Sequence, residues 1–332
     1  MTMPRTWEAA DLLQMASAYQ TSCLLAAAAE LELFDKLRGA EFTAGEAATR
    51  LGVDHRALRM LLDALCAGDL LEKRQDRYSV PPRVAELLSH DGAGSVLAMI
   101  QHQANCMRRW AQLALVVKSG RPAPVSPSIR GEAADYASFI EAMDNVSRPA
   151  ADPLIARLGL DRLEHLLDVG GASGTWTLAF LRAHPQARAT IFDLPHVLPQ
   201  ARQRIEAAGM SGRVVLVGGD YLVDPLPAGA DLAWVSAIVH SLSLRQIRRL
   251  FSSVATALAP GGRILVRDFV MDESRTKPVA GAMFALNMLS ANEGGTYTFG
   301  ELRAELESAG FEGVDYVHRD DTMNTVLGAR KK

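Results

Sequence analysis

The pattern of apolar and polar positions changes character near residue 160. Before it, apolar residues recur at helical spacing; after it, short apolar runs alternate with amphipathic stretches. "YQTSCLLAAAAELELFDKL" (19–37) is apolar nearly all round, as in a helix that is deeply buried or shared between chains. Thr43 and Glu46 have capping-box spacing and predict a helix start, with Gly52 as its stop. Asp54 then caps a second helix, whose Leu58, Leu61, Leu62 and Leu65 form one stripe. After Gly68, "DLLEKRQDRYSV" reads as two short strands around a polar turn. Helix, turn, helix and hairpin together predict a winged-helix module within residues 1–90. Residues 91–155 read as a helical connector: 98–117 has helical period, the prolines of "GRPAPVSP" break it, and "DYASFIEAMDNVSR" is a further helix.

Residues 156–332 predict a different architecture. "HLLDVG", "ATIFDL", "VVLVGGD", "DLAWVS" and "RILVRDFV" are predicted strands. In "SLRQIRRLFSSVATALAPGG", Ser243 and Gln246 make another capping box, and Ile247, Leu250, Phe251, Val254 and Leu258 share a face. Strand and helix in alternation mean an α/β fold with a doubly wound, mostly parallel sheet. "VDYVHR" and "NTVLGARK" follow with only a short polar link, which permits an antiparallel pair at the sheet edge.

Composition narrows the function classes. The net charge is −3, giving no global pull toward nucleic acid or anionic lipid. Arg56, Arg59, Lys73 and Arg74 make no strong basic stripe on the winged helix, so no nucleic-acid partner is expected. Cys23, Cys66 and Cys106 are far apart and suggest reduced thiols; no metal-ligand spacing is visible. "MTMPRTWEAADLLQ" lacks a signal-peptide apolar core and no run has transmembrane length, so a cytoplasmic protein without a membrane partner is expected.

The candidate chemistry lies at the strand ends, where open parallel sheets bind ligands. The first strand ends in "DVGGASG", whose glycines miss the dinucleotide spacing: Ala172 and Thr175 stand where the second and third would fall. Asp168 before the turn would repel a pyrophosphate but suits a cationic amino group, reached directly or through water. Asp193, roughly twenty residues on, suits a pair of ribose hydroxyls. Asp220 suits an exocyclic amine, and Tyr221 a purine ring. A ribose, an adenine-like base and a positive group, with no phosphate needed, describe S-adenosylmethionine (SAM).

"LLDVGGASG", "IFDLPHV", "GGDYL", "AIVHSLS", "ALAPGGRILVRDFV" and "LRAELESAGF" occur in the order and spacing of a known family. Over nearly its whole length the chain resembles the SAM-dependent O-methyltransferases of the caffeate/acetylserotonin type. The resemblance implies a Rossmann-like class I methyltransferase domain behind an N-terminal, mostly α winged-helix dimerisation domain, hence a homodimer. It implies that Gly170 and Gly174 admit the methionine part of the cofactor. Asp193, with Leu194 beside it, takes the ribose, Asp220 and Tyr221 the adenine, and Ser236 lies near a further contact. His240 falls on the family's general base, and S-adenosylhomocysteine (SAH) is the product. No metal is implied. The family's Asp and Trp after that histidine are here Ser241 and Leu242. Its "GKERT" acid has no cleanly aligned glutamate in "EGGTYTFGEL", where Tyr297 and Thr298 stand and Glu293 precedes the glycines, which leaves open whether a carboxylate orients the imidazole.

His102, Trp110, Phe139, Met143, Phe284, Asn287 and Met288 are the expected contacts of a small-molecule acceptor, with Asn105 polar on the same helix as His102. The leading expectation is O-methylation of a hydroxyl on an aromatic or polyketide-like molecule. Carbon or nitrogen methylation, a SAM-sensing DNA-binding regulator, and a methyltransferase fold recruited to other chemistry are the alternatives.

Overall fold

In the computed structural model, residues 6–92 and 94–332 are described; residues 1–5, at the head of the expected first domain, and residue 93, in the expected connector, lie outside the described residues. The chain forms two compact units. One holds the residues up to Arg108 together with Val125–Asn145; the other holds Arg109–Pro124 and Val146–Lys332. The connector expected over 91–155 is therefore divided, because its two long helices, α7 (Leu97–Trp110) and α9 (Glu132–Leu158), each run from one unit into the other.

The first unit begins with α1 (Ala9–Ser17), α2 (Tyr19–Glu30) and α3 (Leu33–Leu37). The single helix expected over 19–37 is broken where Glu32 turns left-handed (φ 53°), which lets Leu33, Phe34 and Leu37 into the core. The winged-helix module follows: β1 (Phe42–Thr43), α4 (Ala44–Leu51), α5 (His55–Ala67), β2 (Glu72–Arg74), β3 (Arg77–Ser79) and α6 (Pro82–Leu88). Both predicted start signals form, Thr43 with Glu46 as a reciprocal capping box and Asp54 accepting from the Ala57 N–H at 2.8 Å. Leu58, Leu62 and Leu65 are buried, while Leu61 is half-buried. The hairpin gains a third strand, because β1 pairs with β3. No residue of α1 is buried, and Trp7, Leu12, Leu13, Met15 and Tyr19 are exposed.

The second unit contains α8 (Leu113–Ser119) and a seven-stranded sheet. Along the chain come β4 (His165–Val169), α10 (Thr175–Ala183), β5 (Arg188–Asp193), α11 (Leu198–Ala207), β6 (Val214–Gly218), β7 (Ala230–Ser236), α12 (Leu244–Ala257) and β8 (Leu258–Arg267). After them come β9 (Val270–Met271), α13 (Val279–Ala291), β10 (Tyr297–Thr298), α14 (Phe299–Ser308), β11 (Phe311–His318) and β12 (Val326–Lys331). The sheet order is β11-β12-β8-β7-β4-β5-β6, with β4 to β8 parallel and β11 and β12 antiparallel at one edge. Leu258 proves to be the first residue of β8 rather than the last of the α12 stripe, though it is buried either way. The order in which strands are added reverses between β4 and β7, so the ligand crevice of such a sheet lies at their carboxyl ends.

Two apolar layers hold the sheet. Ile247, Leu250, Phe251 and Val254 of α12 pack on one face, and Trp176 and Phe180 meet Trp234 on the other at 5.3 and 5.2 Å between ring centroids. Each such buried side chain contributes about 1.5–3 kcal/mol, which fixes the strand ends against one another.

Candidate functional site

The turn after β4 is built by backbone geometry. Gly170 has φ +66°, and a Cβ there would stand 2.6 Å from Ile238 Cδ1, so only glycine fits. Ala172 is left-handed as well (φ 44°), and Gly174 forms the N-cap of α10. Asp193, ending the neighbouring strand, pins this turn by accepting the Ala172 N–H at 2.8 Å; it also accepts the N–H of Leu194 at 2.7 Å. Burial pushes the Asp193 carboxyl up while those two donors hold it down. A carboxylate offers about four acceptor positions, so positions remain for a pair of hydroxyls.

Asp168 works beneath the turn rather than on its face. It is 1 % exposed, accepts the Thr177 hydroxyl at 2.5 Å, and lies under Gly171. Burial, with the charge of Asp193 adding to it, pushes its carboxyl up to about 7 although the Thr177 bond opposes this. Of the two routes to a cationic amino group expected from the sequence, direct or through water, the direct one is closed to a side chain so placed. Asp220, after β6, accepts the Leu222 N–H at 2.8 Å, and its own N–H donates to Asp224. Tyr221 lies 3.7 Å from where a Gly170 Cβ would be, and burial, then the charges of Asp193 and Asp220, push its phenol up to about 12. Tyr221 therefore remains a neutral donor and a flat ring. A tight cradle rimmed by carboxylates fits an adenosyl group with a cationic sulfonium and does not fit a pyrophosphate.

The ends of β7 and β8 carry the second cluster. Their register sets Ser236 beside Arg267, so the residues that follow each strand meet. Ala237 is left-handed (φ 55°), and one turn of 3-10 helix, Val239–Ser241, then turns His240 back over the strand ends. Such strain in a non-glycine residue persists where neighbours over-determine it. His240 is 9 % exposed, and its Nδ1 lies 2.9 Å from both oxygens of Asp268. Asp268 also accepts the backbone N–H groups of His240 at 3.3 Å and Phe269 at 2.8 Å. A carboxylate with these partners is an acceptor only, so it fixes the proton on Nδ1 and leaves the Nε2 lone pair for a ligand.

The sequence left open whether a carboxylate orients the imidazole, and Asp268 stands in place to do so. Asp268 does so from inside the predicted strand "RILVRDFV", which ends instead at Arg267. The segment that aligns with "GKERT" plays another part. Gly294 packs so closely that a Cβ would stand 2.0 Å from the His240 carbonyl oxygen, and Gly295 N–H donates to that oxygen at 2.9 Å. Tyr297 donates its hydroxyl to the Leu242 carbonyl. Sequence reasoning passed over Asp268, yet the signal was there: it is an acid at a strand's carboxyl end, like Asp193 and Asp220. Arg267 was also passed over. It is buried over the ring of Trp176 at 4.4 Å and donates to Ser236 Oγ at 3.1 Å and to Asn324. Burial brings its guanidinium down to about 10. The Ser236 hydroxyl is thus engaged from inside the sheet.

The expected acceptor contacts are distributed over both units. In the first, the rings of His102 and Phe139 meet at 5.2 Å, with Met143 one turn along α9. Asn105 is drawn into ion-pair chemistry, accepting from Arg108, which also pairs with Glu30. In the second, Phe284 of α13 meets the His240 ring edge-on at 4.9 Å and Phe269 at 5.1 Å. Trp110 Nε1–H donates to Asn287 Oδ1 at 3.0 Å, and Met288 is buried beside it. Among the described residues no group of His, Cys, Asp and Glu is arranged to hold a metal, and no helix is long and apolar enough to cross a membrane.

Comparison with known proteins places these features in context. An O-methyltransferase domain family model matches residues 120–312, and an O-methyltransferase dimerisation domain model matches 13–89. The chain is 33 % identical over 306 residues to 3-hydroxy-5-methyl-1-naphthoate 3-O-methyltransferase of Streptomyces sahachiroi, covering 90 % of this chain and 88 % of that one. It is 32 % identical to the N,N-dimethyltransferase OxyT of Streptomyces rimosus, covering 97 % and 94 %. Human N-acetylserotonin methyltransferase, solved in complex with SAM, superposes with a TM-score of 0.81 at 25 % identity, covering 99 % of both chains.

Proposed function

Because this chain belongs to the O-methyltransferase family and is a SAM-dependent O-methyltransferase, we propose that His240 is its general base and that its acceptor is an aromatic or polyketide-like hydroxyl compound. The observation that carries the reading is the His240–Asp268 pair at the strand ends beside the glycine turn. When bound, SAM supplies an electrophilic methyl group on a cationic sulfur.

The chain's own residues supply the rest. A phenol with its ordinary pKa of about 10 is a weak nucleophile at neutral pH. Nε2 of His240 takes its proton as the oxygen attacks, and Asp268 stabilises the imidazolium through Nδ1–H. Phe284 meets the imidazole edge-on and is backed by Phe269, and an apolar wall of this kind strengthens that ion pair. Asp193 holds the ribose hydroxyls, and the Asp220–Tyr221 corner holds the base. Phe284, Asn287 and Met288 of α13 are the expected acceptor contacts that lie in the same unit as His240. The naphthoate enzyme among the relatives supports a planar aromatic acceptor. A second reading, methylation of an arylamine in the same site, is favoured by the similarity to OxyT.

Incubation with methyl-labelled SAM and paired hydroxyl and amino naphthalenes separates the two. Label carried on oxygen, located by NMR, supports the reading; label on nitrogen alone favours the second. We further propose a homodimer through the first unit, supported by the dimerisation-domain match and the exposed apolar side chains of α1. Sedimentation of Leu13→Glu as a monomer supports it, and an unchanged dimer contradicts it.

A further inference from the structure

One polar side chain in the acceptor-side cluster takes no part in proton removal. Along α13, Asn287 and Ser290 are the only polar side chains, and Ser290 directs its hydroxyl to the Asn287 carbonyl at 2.8 Å. Asn287 and its partner Trp110 are both half-buried. The indole N–H is a donor with no acceptor capacity, so the amide has one orientation: Oδ1 toward Trp110, at 3.0 Å, and Nδ2 with both its donors away from it. Nδ2 has no protein partner among the described residues. Asn287 also stands one helical turn after Phe284, the residue whose ring meets His240. Side chains three apart on a helix have Cβ atoms about 5–6 Å apart. Asn287 therefore shares with Phe284 the face of α13 that meets His240.

We propose that the Trp110–Asn287 pair is a specificity device that selects acceptors bearing a carbonyl or quinone oxygen at a distance from the hydroxyl being methylated. The inference rests on the acceptor reading given above and narrows it. The pairing matters because a free asparagine could turn its amide to suit either a donor or an acceptor. Trp110 removes that freedom and makes the site reject molecules that bring nothing to the two N–H groups. A site built to hydrogen-bond a substrate group discriminates against its absence far better than an apolar wall discriminates by size.

The test is a ratio of affinities in the SAH-bound protein. The probes are 2-hydroxyanthraquinone and 2-hydroxyanthracene, which share a planar three-ring frame and a hydroxyl and differ in the quinone oxygens. Binding is followed by the probes' own absorbance and fluorescence, and SAH affinity by calorimetry in every variant. The wild-type protein is expected to favour the quinone by about tenfold or more, the worth of one hydrogen bond to an otherwise unpaired donor. Asn287→Leu should bring the ratio close to unity. Asn287→Asp keeps the bond from Trp110 but has no donors, and should favour the anthracene. Trp110→Phe frees the amide and should give an intermediate ratio.

A wild-type ratio near unity, or a ratio unmoved by Asn287→Leu and Asn287→Asp while SAH binding is retained, overturns the proposal. Retention of SAH with neither aromatic bound overturns the acceptor reading beneath it and the proposal too. Binding of both probes without preference overturns the proposal alone.

Discussion

The two ends of the crevice are made in different ways. At the carboxyl ends of β4, β5 and β6, the cradle is mainly backbone: Gly170 and Ala172 with left-handed dihedrals, and Asp193 holding the turn through N–H groups. At the ends of β7 and β8 and along α13, the site is side chain on side chain: Asp268 on His240, Phe284 on His240, Trp110 on Asn287. A backbone cradle suits a ligand that every member of a family shares. Paired side chains can be exchanged one at a time, which suits an acceptor that differs between enzymes. The division implies that damage at one end alters affinity for SAM and damage at the other alters turnover.

The largest expected effect is at the side-chain end. His240→Ala should lower kcat by about 10²–10⁴-fold, the usual contribution of a positioned base, while calorimetric SAM affinity changes by less than about twofold. Asp268→Asn should fall between this variant and wild type, because the amide can orient the ring but cannot stabilise its positive charge as a carboxylate does. A weakening of SAM binding that matches the loss of turnover would erase the proposed division.

Legibility in the sequence followed the same divide. The turn, the strand ends and the winged helix were readable because their signals are local: a capping box joins residues three apart, and a helix stripe or a strand-end acid lies within one element. The antiparallel edge pair was legible for the same reason. The His240–Asp268 pair joins residues 28 apart, and Trp110–Asn287 residues 177 apart. Only the parallel register of β7 and β8 and the packing of α13 bring these together, and no periodicity encodes such a meeting. The family's orienting acid lies in the "GKERT" segment, whereas in this chain the carboxylate beside His240 follows β8. The break at Glu32 was also hidden, since apolar spacing in 19–37 continues through it while the backbone turns.

The next effect sharpens the cofactor end. Asp193→Asn keeps an acceptor for the turn but loses charge and one acceptor oxygen. SAM affinity should fall about tenfold or more, the worth of a charge-assisted hydrogen bond at ~1.5–3 kcal/mol, with kcat at saturating SAM nearly unchanged. An unchanged dissociation constant would place the ribose elsewhere.

The smallest effect concerns stability. Asp168 ionises from about 3.8 in an unfolded chain, and from about 7 in the folded one. Between those values the folded protein retains a proton that the unfolded chain has released. Stability is therefore lost as pH rises through that window. Asp168→Asn keeps an acceptor for Thr177 and removes the titration. Urea midpoints for the wild type should fall more between about pH 4.5 and pH 7.5 than those for Asp168→Asn; parallel profiles would show that the carboxyl is ionised in the folded state after all.

The central claim is that Asp268 holds the proton on Nδ1 of His240 so that Nε2 can accept one. Long-range nitrogen–proton NMR of protein labelled with ¹⁵N-histidine reads this directly at a pH where the imidazole is neutral. The structure predicts a protonated Nδ1 and a bare Nε2 for His240, with the preference weakened in Asp268→Asn. A His240 signal with its proton on Nε2 in the wild-type protein would contradict the account.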